Sequence, residues 1–141
     1  VLFTNAWGEK EIKGFKHWNW LKKNNPDINF KELLGNKSLE YMPDFYNSGN
    51  CLLFLSLWPE TCGLVILEAL ACDIPVISYP VGIAREIIKN GENGYLIDDY
   101  NIKSVNESIH LINKNKYNCR DSIKELNIEN TCVKYIEFLG E

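Results

Sequence analysis

Leu57-Trp58-Pro59-Glu60-Thr61-Cys62-Gly63-Leu64, continued through Glu68-Ala69 to Asp73-Ile74-Pro75-Val76-Ile77, is the most informative part of this chain. The apolar run from Cys51 to Leu57 reads as a buried strand and ends in a short polar loop holding Glu60 and Gly63. Leu64 to Cys72 reads as a helix, and the Pro-led run Pro75 to Ser78 as a second strand. Strand, glycine-containing turn, helix and strand in that order make the βαβ unit of an open parallel sheet. Ligands of such sheets lie beyond the carboxyl ends of the strands, where loop amides and a helix N-terminus favour an anion. Glu60 in the loop and Glu68 on the helix flank that place. A ligand carrying phosphates and hydroxyls together suits it, and a nucleotide-sugar has both.

Outward from this unit, Val1 to Thr4 reads as a strand, Asn5 to Gly14 as a polar loop and Phe15 to Lys23 as a helix stopped by Asn25-Pro26. Asp27 to Phe30 is a short strand candidate, and Met42 to Asn47 one helical turn. Downstream, Ala84 to Asn90 is a short helix ended by Gly91, and Tyr95 to Ile97 the last strand. Ile102, Val105, Ile109 and Ile112 recur at helical spacing. Lys116 to Leu126 gives a weaker helix. Glu129 to Leu139 gives a firmer one, with Cys132, Val133, Ile136 and Leu139 on one face. The expected architecture is α/β, a doubly wound, Rossmann-like parallel sheet. It forms a single domain over 1–141, with an α/β core over 1–126 and a closing helix over 127–141.

A chain of 141 residues is long enough to bury one core, and its net charge of −4 argues against a general nucleic-acid binder. Lys10, Lys13, Lys16, Lys22 and Lys23 crowd the first segment and read mainly as a solvated face. No apolar stretch approaches the ~20 residues that a membrane span needs. The odd set Cys51, Cys62, Cys72, Cys119 and Cys132 has no C-x-x-C spacing, so neither a zinc site nor a disulfide framework is expected. Reduced thiols fit a cytoplasmic chain. With Val1 at its start and Met42 as its one methionine, the sequence reads as a fragment, a processed form or an excised domain.

From Asn36 to Asp99 the chain resembles the donor-binding half of a family-4 glycosyltransferase, a two-domain enzyme of the GT-B fold. Glu60 and Glu68 stand at the spacing of that family's paired glutamates, with seven residues between them. Gly63-Leu64 matches its glycine turn, Glu68-Ala69-Leu70-Ala71-Cys72 its helix and Pro75-Val76-Ile77-Ser78 its next strand. Arg85-Glu86-Ile87-Ile88 and Asn90-Gly91-Glu92-Asn93-Gly94-Tyr95-Leu96-Ile97 match the helix and turn that close the pattern. The last helix is similar to the family's closing helix, and the region from Asp27 to Leu39 looks shortened by a strand-helix portion.

The resemblance implies a retaining transfer of sugar from a nucleotide-diphosphate sugar to an acceptor, without a metal or other cofactor. Glu60 would then contact the donor sugar as the catalytic carboxylate. The amides of Thr61, Cys62, Gly63 and Leu64 would face sugar and phosphate, and Glu68 would accept from the ribose hydroxyls. Gly63 suits that loop either because a Cβ would obstruct close approach or because its φ is positive. Lys13-Gly14 is similar to the family's lysine-glycine step, where the lysine meets the diphosphate. The family's arginine shortly before it is missing; Lys10 is the nearby cation, and it lacks a bidentate guanidinium. Asp73 stands where the family has glycine, and His17 and His110 read as structural. The base would lie around Leu39 to Met42. The acceptor side would come from an N-terminal domain or a partner chain outside this sequence, and peripheral membrane association through that half is admitted. The alternatives are a non-catalytic nucleotide-sugar-binding module that completes a partner, or the same fold with epimerase or phosphorylase chemistry.

Overall fold

The computed structural model describes residues 1–5, 11–35, 37–112 and 116–140. Five parallel strands form one sheet: β1 (Leu2–Asn5), β2 (Lys31–Leu34), β3 (Leu52–Phe54), β4 (Val76–Ser78) and β5 (Gly94–Leu96). Their order across the sheet is β2-β1-β3-β4-β5. Between them run α1 (Phe15–Asn24), α2 (Met42–Asn47), α3 (Leu64–Ala71) and α4 (Ala84–Ile87). Then follow α5 (Ile102–Ile112), α6 (Cys119–Ser122) and α7 (Ile128–Leu139).

Period-two alternation in the strands builds a core on each face of the sheet. Leu2, Leu52 and Val76 point to one side, where Tyr46, Ile66, Ala69, Leu70, Ala84 and Cys119 cover them. Phe3, Leu53 and Ile77 point to the other, against Trp18 and Leu21 of α1 and Val105 and Ile109 of α5. Trp18 is fully buried and stacks on Phe3, with ring centroids 4.8 Å apart.

Four expected elements differ, among them the helix expected over Ala84 to Asn90, which ends at Ile87 where Ile88 turns extended. The strand after α1 is Lys31–Leu34 rather than Asp27 to Phe30. A turn follows Pro26, with the Ile28 amide donating to Asn25 O, and Phe30 packs edge-on against Trp18 at 5.2 Å. Pairing with β1, not local pattern, selects the strand: Leu2 lies beside Lys31 and Thr4 beside Leu33. The segment from Asp27 to Leu39 thus retains its strand. The expected helix over Lys116 to Leu126 is one turn, Cys119–Ser122, pinned where the Asp73 carboxylate accepts from the Arg120 amide at 2.9 Å. The strand read over Cys51 to Leu57 is regular only over Leu52–Phe54. Its remainder bends into the loop that carries Glu60.

Asp73 has φ +60, the left-handed backbone that explains glycine at this place, and its side chain caps α6. α7 begins at Asn127, whose side chain accepts from the Asn130 amide at 2.8 Å, and none of its residues is buried. Its apolar residues, Phe138 at 85 % exposure among them, face away from both cores.

Candidate functional site

In a 2-1-3-4-5 sheet the chain winds outward in opposite directions from β1 and β3, so the loops after those two strands part and leave a crevice. The loop after β1 carries Lys13; the loop after β3 carries Glu60. They meet there. The Leu57 amide donates to Ile12 O at 2.7 Å, and a Cβ on Gly14 would lie 2.2 Å from Leu55 O. Glycine at the start of α1, at φ +77, is therefore what lets Lys13 stand over the end of β3.

Lys13 Nζ forms an ion pair and hydrogen bond with Glu60 Oε1, although 47 residues separate them. Ser56, buried at the end of β3, donates from Oγ to the same carboxylate oxygen at 2.7 Å. The Trp58 amide donates to Ser56 Oγ at 3.3 Å. Partial burial pushes the Glu60 carboxyl upward, but the hydrogen bonds from Lys13 and Ser56 and the Lys13 charge outweigh it, and the group lies below its ordinary range. Glu60 is thus held ionised.

Beside this pair, α3 starts at Gly63 with φ +86 and no side-chain cap. On the protein side a Cβ at Gly63 would meet Ile66 and Phe54 only at 3.4 Å, so the backbone conformation, not internal crowding, requires glycine. Thr61 and Leu64 are exposed, and Cys62 is half-buried. The Cys62 carbonyl accepts from the Ile83 amide at 2.8 Å. A Cβ on Gly82, at φ +55, would sit 2.4 Å from that carbonyl oxygen. The loop 60–63 is therefore braced from behind by the start of α4.

Glu68 has different neighbours. Tyr46 donates from its hydroxyl to Glu68 Oε2 at 2.7 Å. The carboxylate borders a groove of about 230 Å³ between α2 and α3, walled by Leu39, Met42, Pro43, Tyr46, Ala71 and Cys72. Burial, and then Glu68 beside it, raises the Tyr46 phenol well above its ordinary range, so it stays a donor.

Lys10 lies outside the described residues. Arg85 donates from Nε to Pro80 O and approaches Asp98 at 3.7 Å. His17 is half-buried, its Nδ1 2.6 Å from the Tyr79 hydroxyl, and burial lowers its pKa. Sequence reasoning missed Ser56, Tyr46 and Gly82. Each is common in type, and each owes its place to a contact made across elements.

The fold, a doubly wound parallel sheet with its open crevice at the β1/β3 reversal, is that of one half of a GT-B glycosyltransferase. The chain belongs to a family described as glycosyl transferases group 1, whose model matches residues 10–129. An uncharacterized glycosyltransferase of Methanocaldococcus jannaschii is 38 % identical over 96 residues, covering 67 % of this chain. This chain spans 26 % of that relative's length. Among solved structures, sucrose-phosphate synthase from Thermosynechococcus elongatus superposes with a TM-score of 0.69 at 22 % identity, over 98 % of this chain and 37 % of its own. The Anabaena protein HepE, solved with UDP-glucose, superposes with a TM-score of 0.68 at 17 % identity, over 98 % of this chain and 48 % of its own.

Proposed function

We propose that this chain is the donor-binding half of a retaining, family-4 type glycosyltransferase acting on a nucleotide-diphosphate sugar. The observation that carries this reading is the meeting of Lys13 and Glu60 beside the uncapped start of α3. When the bond between the anomeric carbon and the diphosphate oxygen breaks, negative charge grows on the leaving group. Lys13 and the amides from Thr61 to Leu64 face that charge and stabilise it, as preorganised donors worth about 3 kcal/mol each can. Glu60 holds hydroxyls of the donor sugar, and Glu68 the ribose. With retention, the acceptor oxygen bonds to the anomeric carbon from the face the diphosphate leaves, and its proton passes to a diphosphate oxygen. The positive potential comes from Lys13 and the helix, so this chemistry calls for no metal.

The acceptor side is supplied by the remainder of a longer protein or by a partner chain, since 26 % of a relative's length is matched here. Closure of two domains over the donor would exclude water, so the chain by itself binds nucleotide but transfers poorly. A cytoplasmic setting completes the picture. Cys51, Cys62, Cys72, Cys119 and Cys132 are free thiols, and no helix among the described residues is long and apolar enough to cross a membrane.

Calorimetric titration of the chain with UDP, GDP, ADP and their glucose conjugates tests the proposal, with Glu68→Ala alongside. UDP comes first because HepE was solved with UDP-glucose. Saturable binding of one nucleotide, lost in the variant, supports it. A folded chain that binds none of them contradicts it.

A further inference from the structure

Glu68 and Tyr46 meet across 22 residues of sequence, and the contact fixes more than packing. Tyr46 is 1 % exposed, and its ring packs edge-on against Phe45 at 5.6 Å. Pro43 sits in the first turn of α2, which sets the direction of that short helix. The hydroxyl therefore has one position. Glu68 lies between faces of α3 whose next two residues, Ala69 and Leu70, are fully buried, so its backbone is fixed as well. What is left mobile is the glutamate side chain, with several rotatable bonds and two equivalent oxygens.

We infer that Tyr46 is a positioning residue for Glu68: its hydroxyl holds Oε2, so that Oε1 is presented to the ribose hydroxyls of a nucleotide lying in the groove between α2 and α3. The inference rests on the proposed role of Glu68 and deepens it. Preference for ribonucleotides would then depend on a phenol that itself touches no ligand. A free carboxylate must surrender its side-chain freedom when it meets the ribose. One already held surrenders less, which is the usual advantage of preorganisation.

The test uses the nucleoside diphosphate that binds best among UDP, GDP and ADP, together with its 2′,3′-dideoxy form. Both are titrated into the wild-type chain, Tyr46→Phe and Glu68→Gln. Wild type is expected to prefer the ribonucleotide. Tyr46→Phe keeps the buried ring and should lower ribonucleotide affinity by up to about tenfold, the cost of ordering on binding a glutamate side chain that the hydroxyl no longer holds. Its affinity for the dideoxynucleotide should change less than about twofold, and Glu68→Gln should abolish the preference. If Tyr46→Phe weakens both nucleotides equally, or neither, while Glu68→Gln still abolishes the preference, Tyr46 is packing alone and the inference falls. If Glu68→Gln leaves the preference intact, or wild type has none, the ribose role of Glu68 falls too.

Discussion

Replacing Glu60 with Gln should make the chain bind a bare nucleoside diphosphate more tightly, although Glu60 belongs to the proposed site. Without ligand, the Lys13 ammonium is committed to Glu60, and the two side chains are 24 % and 18 % exposed. A fully exposed ion pair contributes about 0–1 kcal/mol, and a hydrogen bond to a charged group about 1.5–3 kcal/mol. This pair lies between, near ~1.5 kcal/mol. A diphosphate that draws Lys13 away forfeits that amount, and ~1.4 kcal/mol is tenfold in affinity. UDP should therefore bind Glu60→Gln about tenfold more tightly than wild type. Lys13→Met should bind it more weakly. In the Lys13→Met background the second substitution should gain no more than about threefold, from removal of a solvent-screened negative charge. The UDP-glucose to UDP affinity ratio should fall in Glu60→Gln, because the sugar loses its carboxylate. Calorimetry at ~0.15 M salt reads all four chains. An equal gain with and without Lys13 would refute the reasoning, since charge removal alone would then explain it; so would no gain at all.

Gly82→Ala should cost clearly more than Gly91→Ala. Both glycines have positive φ, worth about 1–2 kcal/mol against alanine, but only at Gly82 would the Cβ strike the Cys62 carbonyl. Thermal melting should separate the two by about 4 °C or more, and equal melting temperatures would mean that the 60–63 loop yields freely. Asp73→Ala should lose about 1 kcal/mol with the cap on α6, whereas Asp73→Gly also relieves the left-handed backbone and should come out near neutral in urea denaturation. A glycine variant as unstable as the alanine variant would contradict this. His17 is held neutral by burial, so its folded pKa lies below the unfolded value of about 6.5. Its contribution to stability is therefore complete above that pH and is lost as pH falls through the lowered value. His17→Gln should flatten that part of the stability-against-pH curve, and an unchanged curve would show that His17 titrates as if unfolded.

What is local could be read from the residues alone. Glycine and glutamates at fixed spacing, between an apolar run and an apolar helix, define the βαβ unit, because strand and helix periodicity are written within a few residues, whereas the positive φ that requires glycine at position 63 came from the structure. The identities of Glu60, Gly63 and Glu68 were legible for the same reason, as was the lysine-glycine step at Lys13-Gly14. The strand at Lys31–Leu34 was not, since four residues of mixed polarity become a strand only by pairing with β1. Nor was the single turn at Cys119–Ser122, whose ordering depends on Asp73, 47 positions away from Arg120. Packing across elements is what sets Lys13 against Glu60, gives Ser56 and Tyr46 one carboxylate each to hold, and lets Gly82 brace the loop from behind. Those contacts follow from strand order. Placing β1 beside β3 opens the crevice and brings its two loops together, and no periodicity in the chain encodes which strands become neighbours.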